Sequence, residues 1–265
     1  MIQPIVEGHG EIPAVPVLVR KLGELMGIPH VPVGTPFRSK RSQLVQKDRL
    51  QRVIGRAREE PGCRGILILF DADDDCPKEE APQLLIWGQE AAAPLPCSLV
   101  MANREYEAWF LGSFEVLLQK RGIAPAQPYE KDPEAKRDAR GEFESRFGRD
   151  FHYVEKQDQP AFTALADWAL VHKRCRSFRK MANEARSLFV ACGLSPAPWP
   201  LSIKSFFPVR NCVKAGRSIR ASSPFTLKRS QRAPLRRITC NRKSFSRGTI
   251  SPRRWLSIAG WCCAG

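Results

Sequence analysis

Two hydrophobic patterns alternate along the first half of the chain. Short apolar runs at residues 2–6, 65–70 and 97–101 predict strands, and the uninterrupted Ile66-Leu67-Ile68-Leu69-Phe70 suits a strand covered on both faces. Between them, apolar residues recur at helical spacing. Val15, Leu18, Leu22 and Leu25 define one face of a helix over 14–26 that Gly27 is placed to end. Leu50, Val53, Ile54 and Ala57 define another, in a helix capped by Ser42 and running to Glu59. A weak strand is expected at 30–33, a helix over 77–90 and a short helix containing 105–111. Strands alternating with helices in this way predict crossover connections and a mostly parallel sheet. Further helices are expected over 133–147, 161–170 and 176–189, separated by a polar stretch at 150–160. The organisation expected is an α/β domain over 1–125, a helical C-terminal extension of the same domain over 126–192, and a basic, disordered tail over 193–265, where Pro196, Pro198 and Pro200 break the last helix.

Charge divides the chain at the same place. The 265 residues carry a formal net charge of +16, which as a single number suggests a nucleic-acid-binding protein. Residues 1–200, however, hold 28 basic and all 27 acidic residues, and residues 201–265 hold 15 basic residues and no acid. A nearly neutral body and a basic tail need separate explanations. The nine cysteines form no Cys-x-x-Cys or Cys-x-x-His pair, so neither a disulfide framework nor a zinc site is expected. No apolar run approaches the ~20 residues that span a bilayer, and no leader is expected at Met1; the expected location is cytoplasmic, with no membrane partner.

The chemistry is carried by acids placed just after the strands, where ligands of open parallel sheets sit. Glu7 follows the first strand and Glu11 lies four residues on; Asp71, Asp73 and Asp75 follow the central strand; Glu105 and Glu107 follow the last. In an extended segment Asp71 and Asp73 share a face and can present oxygens to one cation. Clustered carboxylates raise one another's pKa unless a divalent ion is present, and Mg²⁺ or Mn²⁺ suits all-oxygen ligands and phosphate chemistry. Plainer readings stand beside this one. Asp74 and Asp75 fit an acidic helix start, Glu105 and Glu107 a helix flank, and His9 an exposed turn. Arg38, Lys40 and Arg41, extended by Arg49, Arg52 and Arg56, make either a solvated face or a grip on a phosphate backbone. A phosphatase of the haloacid-dehalogenase type needs its Asp-x-Asp after the first strand, where Glu7 stands. A receiver domain needs a lysine after the last, where Arg104 is a poor match.

VEGHGE after the first strand, DADDD after the central one and ANREYEAWFLGS after the next resemble the Toprim-like bacterial family known as domain of unknown function 4276. PEAKRDARGEF, YVEKQDQPAF around Tyr153, Asp158 and Gln159, and SFRKMANEARSLF are similar to its later segments, so the resemblance spans residues 1–189. It implies a Toprim-like, Rossmann-like fold in which Glu7 is the glutamate after the first strand and Asp71 and Asp73 are the metal-binding pair. The nuclease branch of that fold implies a second-metal role for Glu11 and makes Glu107 the candidate for a further acid. The implied activity is Mg²⁺-dependent cleavage of nucleic-acid phosphodiesters, with Glu7 as general acid/base, beside an ATPase of the AAA or structural-maintenance type in a defence or DNA-repair setting. The other function class is a non-enzymatic subunit or regulator of such an ATPase.

The tail departs from the family. Its carboxylate-free, Arg/Ser/Pro-rich composition is what translation in an unintended frame gives, and a frameshift or read-through is the expectation, with a basic nucleic-acid arm as the alternative. Gene sequencing with an intact mass from the native host tests this: one clean frame through Gly265 with a matching mass rejects the frameshift.

Overall fold

The computed structural model of the chain describes residues 1–123, 128–135, 137–148 and 151–198. Four strands, β1 (Ile2–Val6), β2 (Phe37–Arg38), β3 (Gly65–Asp71) and β4 (Cys97–Ala102), form one sheet in the order β2-β1-β3-β4. All three pairings are parallel: Ile5 lies opposite Phe37, Ile2 to Val6 opposite Gly65 to Leu69, and Ile66 to Asp71 opposite Cys97 to Ala102. The chain runs outward from β1 to β2, then returns to the other side of β1 to form β3 and β4. The strand order therefore reverses between β1 and β3, which makes their carboxyl ends the switch point where such sheets bind ligands.

Both faces of the sheet are covered, as the apolar runs require. On one face Leu67 and Leu69 join Ile2, Val6 and Val100 against α1 (Glu11–Leu25) and α10 (Arg176–Ala191). On the other, Ile66, Ile68 and Phe70 join Ile5, Leu99 and Met101 against α3 (Lys47–Arg58) and α4 (Pro77–Ala92). The α/β, mostly parallel, Rossmann-like expectation with flanking helices is met at this level.

Several boundaries differ from the expectation for local reasons. The weak strand at 30–33 reduces to a single bridge between Val33 and Ile2, and pairing continues only at β2. The helix expected from Ser42 to Glu59 is two helices, α2 (Arg41–Leu44) and α3, parted where Gln46 adopts an extended backbone. The polar stretch at 150–160 holds the start of α8 (Glu155–Leu165), which tolerates Pro160 inside it. Asp167 then accepts from the Ala169 and Leu170 N–H groups and starts α9 (Trp168–Arg174). The helix expected over 133–147 is confined to α7 (Ala139–Arg146).

The later helices pack on the sheet's first face and beyond it through aromatic rings. Tyr106, Trp109 and Phe110, in and just before α5 (Glu107–Gly112), and Phe114 of α6 (Phe114–Lys120) meet Phe143, Phe162 and Phe178. Phe143 alone lies 4.8 to 6.1 Å, centroid to centroid, from Phe110, Phe114, Phe147, Tyr153 and Phe162. Gly193, at φ +81, ends α10, after which the Leu194 and Ala197 N–H groups donate to the carbonyls of Phe189 and Met26. The tail from 199 onward lies outside the described residues. Among the described residues no helix is long and apolar enough to cross a membrane, and Cys63, Cys76, Cys97, Cys175 and Cys192 are free thiols.

Phe143 is fully buried, so its truncation leaves a cavity that its neighbours cannot fill. Phe143→Ala is expected to lower the urea-unfolding free energy by about 3–5 kcal/mol. A loss under about 1 kcal/mol contradicts this ring cluster.

Candidate metal centre

Three strand ends deliver acids to one cavity of about 260 Å³. Asp71 closes β3, with Glu107 in the first turn of α5 after β4, and Glu11 opens α1 after β1. Each is oriented by a hydrogen bond that uses one carboxylate oxygen. Asp71 Oδ1 accepts from the Tyr106 backbone N–H at 2.8 Å, and Glu107 Oε1 accepts from the Tyr153 hydroxyl at 2.8 Å. Glu11 Oε2 accepts from the Glu7 and Gly8 N–H groups, both at 2.8 Å, and so reaches back to shape the turn that precedes its own helix. Glu7 is half-buried, and its Oε2 is a buried oxygen without a hydrogen-bond partner.

Burial dominates the electrostatics of this floor. It pushes Glu11 up to about 8, with the charges of Glu107 and Glu7 adding to it, against the two backbone N–H groups. Burial likewise raises Glu107 to about 7, opposed by the Tyr153 hydrogen bond. Asp71 is raised well above the carboxylate range by burial, then by Glu11, Glu107, Glu7 and Asp73. Glu7 is raised by burial and by Asp73, while Arg41 and Arg38 pull it down. A floor of this kind favours either bound protons or a bound cation.

The other sequence candidates sort differently. Asp73 does not continue the strand; it sits in a turn at φ +51, where its N–H donates to the Arg104 carbonyl, and the strand alternation argument therefore fails for it. It still lines the cavity, exposed, with Arg41 Nε 3.8 Å away. Arg41 also pairs with Asp75 and with the Asp71 carbonyl, and its guanidinium lies over the Phe70 ring at 5.6 Å. It braces the acidic loop, instead of standing free for a phosphate. Asp75 does not cap α4, which has no side-chain cap; Arg104 reaches Asp74 and the Asp73 carbonyl. Arg38, Lys40, Arg49, Arg52 and Arg56 are exposed, the last three along α3, and His9 is exposed in its turn.

Glu105 serves the backbone next to it, since its two oxygens accept from the Asp138 and Arg140 N–H groups at the start of α7. The opposite wall of the cavity holds Asp138, Arg140, Glu155 and Gln159, from α7, α8 and the residue before α7. Sequence reasoning misses Arg140 and Glu155; the signal is a polar run, EKQDQ, flanked by the aromatic residues that dock it. Gly10 records how closely that wall approaches: a Cβ there would stand 2.2 Å from Gln159 Oε1 and 2.9 Å from the Glu155 carbonyl oxygen.

Among the described residues no group of three or more His, Cys, Asp or Glu side chains is arranged to hold a metal ion. The donor chemistry nevertheless fits a hard divalent cation, because Glu11, Asp71 and Glu107 offer the floor carboxylate oxygens and, among the described residues, none of the three is in an ion pair; Glu7, with its buried, unpartnered Oε2, lies beside the cavity without lining it. Mg²⁺ is commonly held by one or two carboxylates, with waters and substrate phosphate completing its shell. No family model matches this chain, and no curated protein or solved structure does.

Glu11 and Glu107 keep their protons in the fold up to about 8 and about 7, against 4.5 ordinarily. Below the unfolded values both states are protonated and the acids cost nothing; above them the unfolded chain ionises first and is favoured. Stability in chelator is therefore expected to fall as pH rises from about 5 to about 8. Melting temperatures across that range check it: Glu11→Gln should flatten the decline and added Mn²⁺ should oppose it. A melting temperature that rises with pH in chelator contradicts the buried floor.

Proposed function

We propose that the chain is a Toprim-like, metal-dependent phosphodiesterase acting on nucleic acid. The observation that carries the reading is the set of half-satisfied carboxylates beside the β1/β3 switch point, Glu11, Asp71 and Glu107, each aimed by a hydrogen bond and, among the described residues, none in an ion pair. Asp71 and Glu7 would hold Mg²⁺ or Mn²⁺, with Glu11 and Glu107 beside them and Asp73 at the mouth. A bound divalent ion polarises a phosphoryl oxygen and lowers the pKa of a water. Glu7 would serve as the general acid/base, a role suited by a pKa raised from its ordinary value. Asp71 stays aligned through the Tyr106 N–H, so its second oxygen does not need to be ordered at the moment of reaction. The exposed Arg38, Lys40, Arg49, Arg52 and Arg56 supply a backbone grip without base readout. One observation favours a second reading, a regulatory subunit of a partner ATPase of the AAA or structural-maintenance type: no three acids converge as ligands among the described residues.

The experiment pairs Mn²⁺ binding with cleavage of single- and double-stranded DNA and RNA in Mg²⁺ or Mn²⁺. Asp71→Asn is expected to reduce cleavage by about a hundredfold or more and to weaken Mn²⁺ binding. If the native chain cuts none of these substrates and Asp71→Asn binds Mn²⁺ as the native chain does, the enzyme reading fails and the regulatory one stands.

A further inference from the structure

The cavity has two chemically different sides. Its floor is all carboxylate, whereas the wall from α7 and α8 sets two hydrogen-bond donors, the Arg140 guanidinium and the Gln159 amide, beside the carboxylates of Asp138 and Glu155. Arg140 is anchored: Nη1 donates to Glu155 Oε1 at 2.7 Å, Nη2 to the Tyr153 carbonyl at 3.1 Å, and its guanidinium lies over the Tyr153 ring. Gln159 differs. It is only 4 % exposed and lines the cavity, yet its side-chain nitrogen donates to no described residue. Apart from the helix ladder, its hydrogen bonding is at the backbone carbonyl, which accepts from Thr163 Oγ1. The residue as a whole is nearly buried, but its amide atoms are not among the fully enclosed unpartnered polar atoms, so the little exposure that Gln159 keeps opens its amide to the cavity it lines. The amide is also held in place, since its oxygen lies against the Cα of Gly10, where any Cβ would collide.

We propose that Gln159 is a substrate-contacting residue, its amide N–H donating to a non-bridging oxygen of a phosphodiester seated between the acidic floor and Arg140. This rests on the phosphodiesterase reading and adds to it the residue that recognises the anion. A phosphate brought near several carboxylates is repelled unless donors reach it, and on the wall facing the floor Glu155 is already paired with Arg140, which leaves the Gln159 amide as the donor not engaged by a described residue. Gly10 follows from the same contact: the turn after β1 must lack a side chain so that the amide can lie across it. Floor and wall come from separate segments of the sequence, and the close approach of α8 to the turn before α1 assembles them.

The test uses the full chain and two probes: Mn²⁺ alone, followed by its electron paramagnetic resonance, and a short labelled single-stranded DNA, followed by anisotropy with Ca²⁺ in place of Mg²⁺. Gln159→Met keeps length and bulk and removes the donor; Gln159→Glu keeps the oxygen beside Gly10 and also removes it. Both are expected to weaken DNA binding by about 10- to 100-fold, the worth of a hydrogen bond to a charged group, with Mn²⁺ binding not weakened. DNA binding by a folded Gln159→Met or Gln159→Glu variant within about twofold of the native chain overturns the proposal. Native protein that binds Mn²⁺ but no DNA overturns it too, and leaves the metal site standing. Native protein that binds neither removes the phosphodiesterase reading itself.

Discussion

Burying carboxylates without a cation among them is the constraint on which the rest of this structure depends. Glu11 and Glu107 are 3 % and 6 % exposed, and Asp71 lies between them electrostatically, so each ionisation makes the next harder. A fold tolerates such a cluster only if its remaining packing offsets the cost. Here the acids stand at the strand ends, where the sheet's own hydrogen bonding stops. Their orienting donors are main-chain N–H groups and one buried phenol, all uncharged. Uncharged donors fix direction without neutralising charge, and the floor stays receptive to a cation.

The packing that holds the cluster is aromatic and comes mostly from the second half of the chain. Tyr106 shows how the two are joined. Its N–H aims Asp71, its ring packs 4.9 Å from Trp109 and 5.4 Å from Phe110, and its hydroxyl meets Thr163 of α8 at 3.0 Å. One residue thus ties the end of β3 to the helix that forms the far wall. Tyr153 makes the complementary link from the other side, with its ring beside Phe143 and Phe162 and its hydroxyl on Glu107. The ring cluster is therefore also what sets the width of the cavity, because moving α8 displaces both phenols at once.

These links explain what could and could not be read from the sequence. β1, β3 and β4 were legible because they are short and mostly apolar, β3 without interruption, and the strand-end acids followed directly from them. Asp73 was misplaced because the alternation rule holds only while the chain stays extended, and the chain turns immediately after Asp71. Arg41 looked like part of a basic patch because its two acidic partners lie over thirty residues away. The wall of Arg140, Glu155 and Gln159 was invisible for a related reason: its place over the switch point is set by ring contacts between distant segments, to which helical periodicity is blind. Only the resemblance brought Tyr153 and Gln159 to notice, and without a role.

Acid content alone does not mark a site, and this chain supplies the contrast internally. Glu105 gives both oxygens to the backbone of Asp138 and Arg140. Glu134 does the same at the start of α10, accepting from the Arg176 and Ser177 N–H groups and from the Ser177 hydroxyl, which in turn accepts from the Trp109 indole. Both are as strategically placed as Glu107, and Glu134 is as deeply buried. Both oxygens of each, however, accept from a helix N-terminus, so their negative charge is already opposed where it stands. Among the described residues, Asp71, Glu11 and Glu107 have only one oxygen each engaged by another residue, and Glu7 keeps a buried oxygen with no partner. The distinction between a structural and a ligand-seeking carboxylate thus lies in whether the fold has engaged both of its oxygens, a property of the assembled backbone that residue spacing does not encode.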